Sequence, residues 1–414
     1  MSEDRSTRDL PPILRRTRGY RDPEDAEERG VYPFFRALEE VGVTRVRVDG
    51  HIRIMAGSNN YLGLTHHPRV VEANRDATRR FGTGLTGSRL LNGTMELHLE
   101  LEERLAAFYR KEDAIVFPAG YLANIGTVPA LAGRGDHLLL DRFVHASVMD
   151  AARLSGARVH RFPHRDLETL GSLLRERPPG ADALVITEGV FSMDGDVADL
   201  AGICALARPH GAAVLVDDAH GLGVLGKRGA GTAEAQGVEG EVDLVMATFS
   251  KSLGSVGGVV VGPKPVIHYL RHHARAFLFT ASLPPGTAAG VLVALEILES
   301  EPERRARLAR SSDRLRSGLR GMGFSVLGEG TPVIPVVVGG GWWPTLAAWR
   351  ALFDQGVFVN AVLPPAVERN SARLRVSVTS EHSDEEVDRI LEAFSALTKT
   401  RPESASAPAM NEAG

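Results

Sequence analysis

The sequence predicts an α/β fold: a large, mostly parallel sheet covered by helices on both faces, followed by a smaller C-terminal α/β domain. Three observations carry that reading. Between about residues 110 and 262, seven short apolar runs appear, with amphipathic stretches between several of them. After SLPP (282–285) the texture changes to a long helical stretch followed by four strand-like runs. The segment SDEEVDRILEAFSALTK then closes the chain's periodic part as a helix.

Taken in order, residues 1–56 read as an N-terminal arm, of which the first thirty are polar and charge-dense. Residues 57–285 form the large domain, with strands expected at DAIVFPAG, DHLLLD, ARVHRF, DALVITEG, AAVLVDDAH, VDLVMATF and GGVVVG. Strands separated by helical segments such as HASVMDAARLSG require crossover connections, hence a parallel sheet buried on both sides. Residues 286–399 form the small domain, with strands at FSVLGE, TPVIPVVVGG, GVFVNAVLPP and ARLRVSVTS. Its last helix has Ser383 as N-cap with Glu386 three residues on, the spacing of a capping box. The tail, 400–414, is rich in Ser, Pro and Ala, has almost nothing to bury, and is expected to be disordered.

Composition narrows the function classes. A 414-residue chain with 43% hydrophobic and 24% charged residues is that of an ordinary globular protein. A net charge of −4 gives no reason to expect nucleic acid as a partner. The single cysteine, Cys204, excludes an intrachain disulfide and a multi-cysteine metal site, and LAGICALA places it in a core. No run approaches eighteen apolar residues, and MSEDRSTRDLPP lacks an apolar signal core, so a cytoplasmic protein without a transmembrane segment is expected.

Two glycine runs, GTGLTG (82–87) and GLGVLG (221–226), match the spacing GxGxxG. Neither combines a preceding strand with a following helix, so both read as tight loops rather than dinucleotide sites. The stretch ATFSKSLGSVGG (247–258) is more informative, because it puts Lys251 between a strand and a glycine loop. Ligands of such sheets bind beyond the carboxyl ends of the strands. At those ends the sequence offers Gly120 and Tyr121 opening a helix, then His145, Ser192, Asp217, His220, Thr248 and Lys251. An amine, a carboxylate, two histidines, two hydroxyls and an anion seat at a helix N-terminus are the inventory pyridoxal phosphate needs.

The chain also resembles a family. From about 30 to 396 it is similar to the α-oxoamine synthases, pyridoxal-phosphate enzymes of fold type I. The likeness lies in GSNNYLGLTHHP (57–68), GTGLTGSRLLNGTMELHLELE (82–102), FVHASVMD (143–150), VFSMDGD (190–196), VDDAHGLGVLGKRGAG (216–231), TFSKSLGSVGG (248–258) and FTASLPP (279–285). The resemblance implies that Lys251 forms the Schiff base with pyridoxal 5'-phosphate and later moves the Cα proton. It implies that Asp217 pairs with the ring nitrogen, that His145 stacks on the ring, and that His220 and Ser192 bind its phenolic oxygen. Gly120, Tyr121 and Thr248 would hold the phosphate, with Thr280 and Ser282 reaching in from the partner of a homodimer. Arg375 would clamp the amino-acid carboxylate, and Asn59 would line the substrate site across the dimer.

The reaction so implied is a decarboxylative condensation of an amino acid with an acyl thioester, carried by coenzyme A or an acyl carrier protein. GSRLLNGTMELHLELE, LRHHARAFLFTASLPP, EGTPVIPV and GVFVNAVLPPA resemble serine palmitoyltransferases, so L-serine and a long acyl chain are expected first. The VDDAHG wording is shared with 8-amino-7-oxononanoate synthases, which join alanine to a pimeloyl thioester, and a specialised homologue fed by a carrier protein is a further reading. Leu363 stands where some serine palmitoyltransferases have arginine. An aminotransferase is the reading from another class, and should lack GSRLLNGT and VFSMDGD. Other polar residues receive structural roles. His98 packs against the glycine loop, Asp218 orients backbone, His66 and His67 are solvated, and Trp342 and Trp343 pack within the small domain. Arg373 is expected to face away from Arg375.

Overall fold

The computed structural model describes residues 10–399 except 16, 18, 19 and 369. The 400–414 tail and residues 1–9 of the arm lie outside the described residues. All seven expected strands of the large domain form and join one sheet. They are Asp113–Phe117 (β1), His137–Asp141 (β2), Arg158–Phe162 (β3), Ala183–Glu188 (β4), Ala213–Asp217 (β5), Leu244–Thr248 (β6) and Gly258–Gly262 (β7). Their order is β1-β7-β6-β5-β4-β2-β3; β7 runs antiparallel to both neighbours and the other pairings are parallel.

The apolar runs are continuous because both faces are covered. Successive side chains of a strand point to opposite faces. Leu138, Leu140, Leu184, Ile186, Leu215 and Met246 accordingly enter one core, while Leu139, Val185, Val214, Val216, Val245 and Ala247 enter another. The edge strand β3, RVHRF, buries only its final phenylalanine fully.

The small domain holds an antiparallel four-stranded sheet in the order Ser325–Val326, Val333–Gly340, Ala372–Ser377 and Asn360–Val362. GVFVNAVLPP does not form the single strand its apolar run suggests. Its first part, Val357–Phe358, pairs in parallel with His51–Met55 of the N-terminal segment, whereas Asn360–Val362 pairs with Ala372–Ser377. The switch between sheets is pinned by Trp349, whose indole donates to the Val359 carbonyl (3.1 Å), and by the Asn360 amide donating to Gly57 O (2.7 Å).

The closing helix, Asp384–Lys399, begins as expected. Ser383 Oγ accepts from the Glu386 N–H and Glu386 Oε2 accepts from the Ser383 N–H, each at 3.2 Å. Helix Pro285–Ser300 packs on helices Pro68–Phe81 and Glu96–Phe108. Cys204 is buried in the core, as its neighbours suggest. Trp343 departs from expectation. It remains 38% exposed, with the Arg29 guanidinium 3.9 Å from its ring, because its helix turns that face outward and only Trp349 is fully enclosed.

Candidate active site

Adjacent strands of a parallel sheet end side by side, so residues far apart in sequence meet along one rim. Glu188, last residue of β4, is in register with Asp217, last residue of β5, and Thr248 ends β6 next door. Beyond the end of β1 the chain enters helix Gly120–Leu131, and after β2 it enters helix Ala146–Ser155, capped by His145. A cavity of about 290 Å³ lies among them. Gly120, Tyr121, His145, Ser192, Asp217, His220, Thr248 and Lys251, all expected at the site, line it together.

Asp217 is 3% exposed; its Oδ2 accepts from the Asn124 amide at 2.8 Å and its Oδ1 from the Ala219 N–H at 3.2 Å. Burial pushes the half-buried Lys251 amine down to about 8, Asp217 and Glu188 partly offset this, and Arg375 adds to it. His220 is buried, with Nδ1 2.7 Å from the Tyr61 hydroxyl. Burial, then the charges of Lys251 and Arg375, keep its imidazole neutral. Thr248 Oγ1 donates to Gly257 O (2.9 Å) and stands opposite Gly120. A Cβ at Gly120 would lie 2.9 Å from that oxygen, so the helix N-terminus is open only because position 120 has no side chain.

Arg375 is 4% exposed; its Nε donates to Ser192 O (2.7 Å) and its Nη2 to the Tyr61 hydroxyl (3.2 Å). The expectation that Arg373 faces away is corrected. Residues two apart on a strand share a face, and Arg373 reaches the same loop, donating to Asp194 Oδ1 (2.7 Å) and Met193 O (3.2 Å). An acidic partner, rather than orientation, distinguishes the two arginines. Asn59 lies within its own chain's cluster, 3.2 Å from the Tyr61 hydroxyl. Thr280 and Ser282 do not line the cavity. They run alongside the end of the glycine loop, where Ser88 pairs with Ala281 and Ser282 N–H donates to Gly87 O (3.0 Å), and the buried Ser282 Oγ has no partner.

Asp218 orients backbone as read from the sequence, and His98 is buried in a structural role, with Leu283 rather than the glycine loop as the partner of its Nε2. His98 Nε2 lies 2.8 Å from Leu283 O, and Asp218 accepts from the Thr232 N–H and hydroxyl at 2.6 and 2.7 Å. Glu188, Tyr61, Asn124 and Ser147 were missed. Glu188 ends its strand just as Asp217 does, and that rule alone would have found it. Burial, then the Asp217 charge, raises its carboxyl well above the usual carboxylate range.

Comparisons with known proteins bear directly on this geometry. The model of the family described as aminotransferase class I and II matches residues 53–394. The chain belongs to that family. A serine palmitoyltransferase of Sphingobacterium spiritivorum is 41% identical over 372 residues, covering 89% of this chain and 92% of that protein. An 8-amino-7-oxononanoate synthase of Geotalea daltonii is 44% identical over 374 residues, covering 90% and 95%. The structure of a serine palmitoyltransferase from S. paucimobilis, with a bound pyridoxal phosphate–myriocin aldimine, superposes with a TM-score of 0.91 at 38% identity. It covers 95% of this chain and 99% of that one. Within the aminotransferase class I and II family the chain is therefore an α-oxoamine synthase, and its cofactor is pyridoxal phosphate.

The cavity fits that group on its own features. A glycine-opened helix N-terminus suits a phosphate. The buried, hydrogen-bonded Asp217 carboxylate suits a protonated ring nitrogen. Glu188, which lines the cavity, keeps its Oε1 buried without a partner among the described residues. No described helix is long and apolar enough to cross a membrane.

Proposed function

We propose that the chain is a homodimeric, cytoplasmic enzyme that condenses an amino acid, L-serine first, with a long-chain acyl thioester. Thiol and carbon dioxide are released and an α-amino ketone remains. The carrying observation is the Lys251 amine, with its affinity for protons depressed, in one cavity with the Asp217 carboxylate and the Gly120 helix terminus.

When bound, the cofactor supplies an aldehyde for that amine and a ring that takes up the electron pair left at the amino acid's Cα. Asp217 holds the proton on the ring nitrogen, and the N–H groups at Gly120 and Tyr121 with the Thr248 hydroxyl hold the phosphate. His145 covers the ring, while His220 and Ser192 flank its phenolic oxygen. Lys251 Nζ removes the Cα proton. Arg375, a planar donor already fixed by Ser192 O and Tyr61, clamps the substrate carboxylate, and Asn59 borders the same space. Thr280 and Ser282 complete the partner's phosphate site, a reading supported by their place outside their own chain's cavity and by the orphaned Ser282 hydroxyl.

The 8-amino-7-oxononanoate synthase reading, alanine with a pimeloyl thioester, is favoured by one observation, the 44% identity to such an enzyme. Free-thiol release is therefore measured across serine, alanine and glycine, each paired with short and long acyl groups on coenzyme A or on a carrier protein. Serine with a long-chain acyl-CoA is expected to release thiol fastest, and Lys251→Ala to release none. Formation of an oxo acid without thiol would make the protein an aminotransferase instead.

A further inference from the structure

Behind the cavity, four side chains form one continuous file of hydrogen bonds. The Asn124 amide nitrogen lies 2.8 Å from Asp217 Oδ2 and 2.9 Å from Ser147 Oγ, and Ser147 Oγ lies 2.7 Å from His145 Nδ1. Asn124, Ser147 and Asp217 are all buried, Asn124 completely. We propose that Asn124 and Ser147 are positioning residues that tie His145 to Asp217, holding the imidazole in its Nε2–H form and the carboxylate in one rotamer. The proposal rests on the reading of the cavity as the cofactor and substrate site.

The direction of every proton in the file follows from its ends. The Asn124 amide nitrogen donates to Asp217 Oδ2, so its NH2 group is the end that faces the carboxylate. The second N–H of that group points at Ser147 Oγ, which therefore accepts. At the other end the Ser147 backbone N–H donates to His145 Nδ1 (3.2 Å), the imidazole being the N-cap of helix Ala146–Ser155. An Nδ1 that accepts carries no proton, so the Ser147 hydroxyl must donate to it as well. The imidazole proton is left on Nε2. Burial and the Lys251 charge keep the ring neutral against the pull of Asp217, and a helix N-terminus acts the same way. His145 thus offers the cavity a donor, suited to an anionic group on substrate or cofactor, rather than a base.

Packing alone does not explain Asn124. Its Oδ1 is buried without a partner, a cost that a leucine of similar size would avoid. The residue is accounted for by its two donated bonds.

The test uses the full chain labelled with 15N-histidine, with and without cofactor, the His145 signals being assigned by their loss in His145→Asn. In the wild type these signals are expected to show an unprotonated Nδ1 and a protonated Nε2. Ser147→Ala and Asn124→Leu are expected to move them toward a mixture of both forms, whereas Ser147→Thr restores the wild-type pattern. In the loaded enzyme the same two variants are expected to shift the pH midpoint of the visible cofactor band and to raise the amino-acid KM about tenfold, with a smaller change in kcat. An unchanged 15N pattern and band midpoint in Ser147→Ala would overturn the proposal, and that variant decides it alone should Asn124→Leu not fold. A wild type that never develops the band would count against the proposed function instead, because the 15N pattern of the unloaded protein still reads the relay.

Discussion

At the scale of single residues, Lys251 and Gly120 show how little atomic change the site tolerates. An amine with its pKa near 8 is about one-tenth unprotonated at pH 7, far more than a solvated lysine. The sign is that of burial disfavouring the charged form. Covalent uptake of the cofactor is expected to speed up as pH rises through about 8 and then level off, as followed by growth of the visible band in apoprotein. A pH-independent rate between 7 and 9 would contradict this. At Gly120, a methyl group would lie 2.9 Å from Thr248 Oγ1, beside the helix N-terminus proposed to seat the phosphate. Gly120→Ala is expected to weaken cofactor binding about tenfold, near 1.4 kcal/mol, when titrated by fluorescence.

At the scale of elements, the loops after β2 and β4 carry His145 and Ser192, and a histidine between them binds the two together. His164 Nδ1 lies 3.0 Å from Asp141 Oδ1, and its Nε2 lies 2.8 Å from Asp196 Oδ2. Arg165 also reaches both, through its N–H to Asp141 and its guanidinium to Asp196. The ring is wedged between Phe143 and Phe191. The two carboxylates outweigh burial and raise the imidazole pKa to about 9. Because the folded value lies above the unfolded value of about 6.5, the stabilisation is complete below the latter and fades as pH rises through about 9. His164→Gln is expected to lower the melting temperature at pH 7 and to make little difference at pH 10. Equal losses at both pH values would mean that the ring acts through packing alone.

At the scale of the whole molecule, the N-terminal segment and the small domain are one structure, since His51–Met55 accepts Val357–Phe358 as its neighbour strand. The small domain in turn grips the loop that carries Ser192, through Arg373, Arg375 and the Thr331 hydroxyl donating to Gly195 O (2.8 Å). Elsewhere Leu91, just past the GTGLTG loop, is 80% exposed, and Phe279, just before Thr280, is 72% exposed. Large apolar side chains in water near the unpartnered Ser282 hydroxyl suit a second copy of the chain. Leu91→Glu with Phe279→Glu is expected to convert a dimer to a monomer by light scattering and to loosen cofactor retention. A wild type that is monomeric at micromolar concentration would refute the shared site.

The sequence by itself determined the seven strands, the rim on which Lys251, Asp217, His145 and His220 meet, and the capping box at Ser383. Each is written in short-range terms: apolar runs, turn residues and the rule that chemistry gathers at strand ends. It also named the cofactor, because the required groups occur in order along the chain. Only the tertiary structure decided the contacts that depend on where distant segments cross. The division of GVFVNAVLPP between two sheets, the shared face of Arg373 and Arg375, and the meeting of Tyr61 with His220 and Arg375 are of this kind. So is the file from Asn124 through Ser147, whose members are ordinary helix residues until two helices and a strand end bring their polar atoms within 3 Å.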